Sequence, residues 1–172
     1  MQDFEPWFHS HGSDYQFAQD TYSFGFTGLT ARSWLASKLR AGYGMACHPV
    51  GFSCDKSLYR PGPHPGHAGR RVFFYARPST ERRGFELGML ALDRLCRTVP
   101  GVTVVFAGED LSKYVIPFAH ESMGSVSVDR LPAIYRSCDL ALVISMTNLS
   151  LLPLELMACG VPVVSTCGPW AE

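Results

Sequence analysis

Three arginines and one glutamate are, by type and setting, the residues of this chain best suited to chemistry. Arg77 closes an apolar run, and Arg82 and Arg83 stand just before a helical pattern that begins at Gly84. Two or three guanidinium groups beside a helix N-terminus can hold a diphosphate, through bidentate hydrogen bonds and the positive end of the helix dipole. A solvated charged loop is the alternative reading of that segment. Glu155 lies among Leu151, Leu152, Leu154, Leu156 and Met157, so its helix reads as largely buried, and an idle carboxylate there would be costly. Accepting hydrogen bonds from sugar hydroxyls would satisfy it. The alternative is an exposed carboxylate without a partner.

These side chains need elements to place them. Arg71 to Ala76 predicts a strand, and Gly84 to Thr98 a helix with Phe85, Met89, Leu92 and Cys96 on one face. Val102 to Ala107 is a continuous apolar strand ending at Gly108. Asp129 is the predicted cap of a helix whose Leu131, Ile134, Tyr135 and Cys138 recur at helical spacing. A strand from Leu140 to Ile144 opens into a polar loop and then the short helix of Glu155. Gly160 stops that helix, and Val161 to Ser165 reads as a further buried strand. Continuous apolar strands alternating with helices mean a parallel sheet covered on both faces. The predicted fold is therefore α/β, a doubly wound parallel Rossmann-like sheet. Arg77 and Glu155 both fall beyond the C-terminal ends of its strands, where such sheets bind ligands.

Residues 71–172 carry this pattern as an incomplete domain. A sheet of this kind normally finishes with further strands or a closing helix, so truncation at the C-terminus is expected. Residues 1–70 read as an interdomain linker, irregular and aromatic-rich, with one helix capped by Thr30 and running to about Arg40. Trp34, Leu35 and Leu39 share its inner face. Arg60 to Gly69 is a Pro/Gly loop that breaks any regular element.

At 172 residues and 47% hydrophobic the chain can bury a core. Its 15 basic and 15 acidic residues cancel, which argues against nucleic acid as a partner and against a broad membrane-surface footprint. No apolar run approaches the roughly eighteen residues of a transmembrane span, and Met1 opens no signal-peptide pattern. The six cysteines are scattered; Cys96, Cys138 and Cys159 read as small buried hydrophobes in a reducing compartment. Cys47, His48 and Cys54, and likewise His64 and His67, lack the paired spacing of a structural zinc site and read as loop surface. The sequence carries no nucleophile elbow, P-loop or dinucleotide fingerprint, which counts against a hydrolase, an NTPase and a dehydrogenase.

Several segments resemble one family. Ala76-Arg77 with Arg83-Gly84 is similar to the Gly-Arg and Lys-Gly element that opens the donor domain of family 4 glycosyltransferases of the GT-B fold. Val105 to Gly108 resembles the strand and glycine that follow, and Ser125 to Ser145 the helix and strand before the sugar-nucleotide site. Leu154-Glu155-Leu-Met-Ala-Cys-Gly-Val-Pro-Val-Val164 resembles the family's most specific motif. Gln2 to Phe8, Thr21-Tyr22 and Thr147 to Glu155 resemble bacterial rhamnosyltransferases that build rhamnose-containing cell-surface polysaccharides. Two departures stand out. Thr147 occupies the place of the family's first glutamate, with Glu155 at the second. Ala76 replaces a glycine, and Arg83 replaces a lysine while keeping its charge and gaining bidentate geometry.

The resemblance implies the C-terminal domain of a GT-B enzyme. It implies retaining transfer of a sugar, rhamnose from a nucleoside diphosphate donor such as dTDP-rhamnose, to a cell-surface polysaccharide, with no metal and no cofactor. It implies a donor site of Arg77, Arg83, Gly108, Ser145, Thr147, Asn148, Leu151, Leu152 and Glu155, with no residue assigned to catalysis itself. The arginines would neutralise the leaving diphosphate, Glu155 would hold the nucleotide ribose, and backbone amides near Leu151 and Leu152 would touch phosphate or sugar. The glycan acceptor would sit on a missing N-terminal domain, so the chain alone is expected to be catalytically silent. The implied location is the cytoplasm, including peripheral association at the inner face of the membrane. A non-catalytic nucleotide-binding or interaction module on the same fold is the other class left open, since fold does not fix activity.

Overall fold

A computed structural model describes residues 1–171. The chain divides into two units, one of Met1–Ser53, Thr147–Ser150 and the residues from Cys167 on, the other of Cys54–Met146 and Leu151–Thr166.

The first unit holds helix α1 (Ser13–Asp20), strand β1 (Gly28–Thr30), helix α2 (Ser33–Tyr43) and strand β2 (Cys47–Pro49). β1 and β2 pair in parallel, Gly28 opposite Cys47 and Thr30 opposite Pro49. Part of the early aromatic run packs: Phe4, Tyr22, Leu35, Ala36, Leu39, Met45 and Cys47 form a buried cluster, with Trp7, Trp34 and Tyr43 against it, whereas Phe17, Phe24 and Phe26 are exposed. The expected Thr30 cap needs correction. Thr30 ends β1 and its hydroxyl donates to the Arg32 carbonyl at 3.0 Å, so the helix begins at Ser33. Gly44, at φ 63°, turns the chain out of α2 in the left-handed conformation that glycine adopts at least cost.

The second unit is built on strands β3 (Arg70–Ala76), β4 (Val102–Gly108), β5 (His120–Ser122), β6 (Leu140–Val143) and β7 (Val163–Ser165). They lie in the order β5-β4-β3-β6-β7, and every neighbouring pair is parallel. The order runs outward from β3 through β4 to β5 and then reverses to β6 and β7, which is the doubly wound arrangement. Helices α3 (Phe85–Thr98), α4 (Leu131–Arg136) and α5 (Leu152–Ala158) join the strands. The predicted inner face of α3 holds: Phe85 and Leu92 are buried with Val72, Phe74, Val104 and Phe106, and Met89 and Cys96 pack against them.

Three local expectations change. Asp129 caps nothing; it lies inside a 3-10 turn, Val128–Arg130, and α4 starts at Leu131 with Pro132 in its first turn, where a fixed φ and a missing N–H are suited. β7 is an edge strand, with Val164 half exposed, because no further strand among the described residues covers it. The Glu155 helix is less enclosed than its leucines suggest, since Met157 is 53% exposed. All six cysteines are free thiols; burial pushes that of Cys138 up to about 11.

Candidate functional site

The strand order of the second unit reverses between β3 and β6, and the predicted arginines follow the C-terminal end of β3. After Ala76 the chain turns through Arg77 and a 3-10 turn, Glu81–Arg83, before α3. Gly84 carries the turn into the helix at φ 56°, and a Cβ there would come within 2.7 Å of the Ile144 side chain just past β6. Both constraints exclude a larger residue. The Met146 N–H donates to the Arg82 carbonyl at 2.7 Å, tying this turn to the end of β6.

Ser145 is fully buried at that junction. Its amide donates to the Thr166 hydroxyl at 3.3 Å, and that hydroxyl donates back to the Ser145 carbonyl at 2.9 Å. Arg83 Nη1 donates to Ser145 Oγ at 3.5 Å. The structure therefore brings Arg83 and Ser145 together at the N-terminus of a 14-residue helix. The first amides of such a helix have no intrahelical acceptor, and together with a guanidinium they suit a diphosphate.

Arg77 has other company. Its Nε donates to Glu109 Oε1 at 2.8 Å and its Nη1 to the Tyr75 hydroxyl at 3.2 Å. The Ser79 amide and hydroxyl also donate to Glu109, at 3.0 and 2.5 Å. Those Ser79 bonds, with Arg77 behind them, hold the Glu109 carboxyl below the usual carboxylate range. Arg77 and Gly108 line a cleft of about 450 Å³ with Tyr75, Glu109, Ser125 and Leu131. Gly108 is required by close approach: a Cβ would lie 2.2 Å from the Ala76 carbonyl oxygen. Glu109 and Ser79 escape a reading of the sequence, although an acid directly after a strand-ending glycine is the signal that marks Glu109.

Leu151 precedes α5, and its carbonyl accepts the Glu155 N–H at 3.0 Å; Leu152 is the first helical residue. The Glu155 carboxylate already has protein partners. The Tyr135 hydroxyl donates to its Oε2 at 3.3 Å, and the Tyr59 hydroxyl also favours its charged form. Burial pushes the Glu155 carboxyl up, and the two hydroxyls oppose that shift. Tyr59 and Tyr135 stack with ring centroids 6.0 Å apart, so each holds the other's hydroxyl in place. Burial pushes the Tyr59 phenol up to about 12, which keeps it a donor.

Thr147 and Asn148 belong to the first unit. Both are buried, and the Asn148 side-chain amide donates to the Gln2 carbonyl at 2.6 Å. The Ser150 N–H donates to Asn148 Oδ1 at 2.6 Å, closing a turn in which Ser150 alone among described non-glycine residues has positive φ, 61°.

Doubly wound sheets of this kind form the C-terminal domains of GT-B proteins, and solved structures agree. Sucrose-phosphate synthase of Thermosynechococcus elongatus superposes with a TM-score of 0.73 at 14% identity, over 94% of this chain and 47% of that one. TarM of S. aureus, solved with UDP, gives 0.72 at 12% identity over 94% of this chain and 36% of that one. WaaG, a glycosyltransferase involved in lipopolysaccharide biosynthesis, gives 0.61 at 16% identity over 91% of this chain and 50% of that one. These likenesses define the fold. Residues 70–170 match the family model of the WsaF C-terminal domain, and the chain belongs to that family. It is also 39% identical over 173 residues to the O-antigen biosynthesis protein RfbC of Myxococcus xanthus, covering 98% of this chain but only 14% of the length of RfbC. No helix among the described residues is long and apolar enough to cross a membrane.

Proposed function

We propose that this chain is the donor-binding half of a glycosyltransferase acting in bacterial cell-surface polysaccharide synthesis. The observation that carries the reading is Arg83 with buried Ser145 at the N-terminus of α3, at the point where the sheet order reverses. Membership of the WsaF C-terminal family and the RfbC relative supply the biological context. The donor is a nucleoside diphosphate sugar, with rhamnose from a donor such as dTDP-rhamnose as the preferred candidate. Transfer is retaining and needs no metal. The glycan acceptor binds elsewhere in the full-length protein, in the cytoplasm at the inner face of the membrane.

In this reading Arg83 and the first amides of α3 take the diphosphate, whose charge grows as the sugar leaves. Arg77 and Gly108 line the adjacent cleft, and Glu155, oriented by Tyr135 and Tyr59, accepts the ribose hydroxyls. The amides of Leu151 and Leu152 complete the site on the sugar side.

Calorimetry with a panel of nucleoside diphosphates tests this. Arg83→Ala should weaken diphosphate binding by about 1–3 kcal/mol, the scale of a charged hydrogen bond. Glu155→Gln should weaken nucleoside diphosphates but not inorganic pyrophosphate. An unchanged affinity in both variants, or no binding by the parent chain, would overturn the proposal.

A further inference from the structure

The N-terminal ends of the same strands hold a second cluster, unrelated to the arginines. Asp139 stands immediately before β6; its N–H donates to the Arg71 carbonyl at 2.9 Å, and its Oδ2 accepts the Arg71 N–H at 2.7 Å. The carboxylate is thereby fixed at the sheet edge. The Pro/Gly loop brings two imidazoles to it, with His64 Nε2 3.7 Å from Oδ1 and His67 Nε2 3.7 Å from Oδ2. One ligand atom from each of the three residues lies within 4.8 Å of the others.

Two features point to a ligand. Both ring nitrogens of His67 are buried without a hydrogen-bond partner, although a neutral imidazole always carries one N–H that needs an acceptor and one nitrogen that needs a donor. The spacing also fits an ion. Zinc bonds of about 2.0–2.1 Å place neighbouring ligand atoms of a tetrahedron about 3.3 Å apart, so the 3.7 Å imidazole–carboxylate separations need to close by only a few tenths of an ångström, and the trio, all within 4.8 Å, by up to about 1.5 Å. The nearby cation does not oppose this, because the Arg71 guanidinium is paired bidentately with Glu121 at 2.5 and 2.7 Å.

We propose that His64, His67 and Asp139 bind one divalent transition-metal ion, zinc above all, with water completing the coordination. Imidazole nitrogen with one carboxylate suits zinc and disfavours magnesium and calcium, which take oxygen ligands. The ion staples the Pro/Gly loop to the ends of β3 and β6. Its place at the opposite end of the strands from Arg83 separates it from sugar transfer.

The experiment is zinc titration of the chelator-treated full chain by calorimetry, with cobalt(II) substitution read by absorbance. One equivalent of zinc should bind and raise Tm. His64→Ala, at a half-exposed position with no core role, and His67→Ala should each weaken binding by at least the roughly tenfold that losing even an outer-shell partner costs. The cobalt form should lack thiolate-to-metal charge transfer. No uptake by the parent chain, unchanged affinity in His64→Ala, or a thiolate signature placing the metal on cysteine would each overturn the site.

Discussion

At the scale of single residues, two carboxylates show how far neighbours decide behaviour. Glu109 and Glu155 are the same side chain, yet their titrations move in opposite directions. Glu109 is held low by hydrogen bonds from Ser79 and then by Arg77, so its contribution to stability is present above its unfolded pKa and fades as pH falls through its folded one. Glu155 is raised by burial, so the folded chain favours its protonated form, and that contribution is lost as pH rises through its folded pKa. Carbon-detected NMR titration should therefore place Glu109 below Glu155. Ser79→Ala should move Glu109 up toward the ordinary range, and Tyr135→Phe should move Glu155 further up. Coincident titrations, or no response to either substitution, would contradict this account. The sequence showed Glu155 as a carboxylate among leucines but not its two tyrosines. Tyr135 and Tyr59 lie 20 and 96 residues away along the chain, and Tyr135 read as an apolar position of its helix. Arg77 was legible as a loop cation, whereas its pairing with Glu109 depends on β3 and β4 lying side by side over seven residue pairs.

At the scale of elements, α3 and α2 contain glycines whose replacement should have opposite effects. Alanine in a helix interior normally gains about 0.5–1 kcal/mol over glycine. At Gly42 in α2 nothing lies within 4 Å of the Cβ position, so Gly42→Ala should stabilise by about that amount or somewhat less so near the helix end. At Gly88 in α3 the Cβ would come within 2.2 Å of the Phe74 ring, which is buried in the sheet core. Overpacking costs about 1–3 kcal/mol, so Gly88→Ala should be net destabilising despite its better helix propensity. Urea denaturation of the two variants checks both signs; a stabilised Gly88→Ala would mean that Phe74 moves freely. Two of the elements that could be read from sequence show why. Val102–Gly108 and the inner face of α3 are long enough, and buried enough, for their periodicity to show. β1, β2 and β5 have three residues each, too few for an alternation, and His120–Ser122 is polar because it sits at the sheet edge. α1 buries no residue, so it leaves no apolar stripe to find.

At the scale of the whole molecule, the first unit is assembled from segments far apart in sequence. Asn148 shows this most directly, with one hydrogen bond to Gln2 and another closing the turn at Ser150. Asn148→Ala should destabilise by about 1–3 kcal/mol, the cost of leaving a buried partner unsatisfied. Removing Met1 to Asp3 deletes the same bond from its other side, so the two changes together should cost clearly less than their sum. Chemical denaturation of the single and combined variants measures this, and strict additivity would refute the shared contact. Such coupling is not legible beforehand, because nothing in Thr147 to Ser150 as a string distinguishes a ligand loop from a segment that packs with the amino terminus. The metal cluster is hidden for the same reason. His64 and His67 look like loop surface until the start of β6 brings Asp139 between them.

The division of the chain also sets an order of events during synthesis. Within this chain Met1–Ser53 are made before Cys54–Met146 of the second unit, whereas Thr147–Ser150, which belong to the same unit as Met1–Ser53, are made after them. At roughly 5–20 residues per second, the 93 residues from Cys54 to Met146 impose a delay on the order of 5–20 s. The aromatic amino-terminal segment spends that interval without Thr147–Ser150, while strands β3 to β6 of the sheet are made. Within this chain, the aromatic segment is therefore made early and completed late.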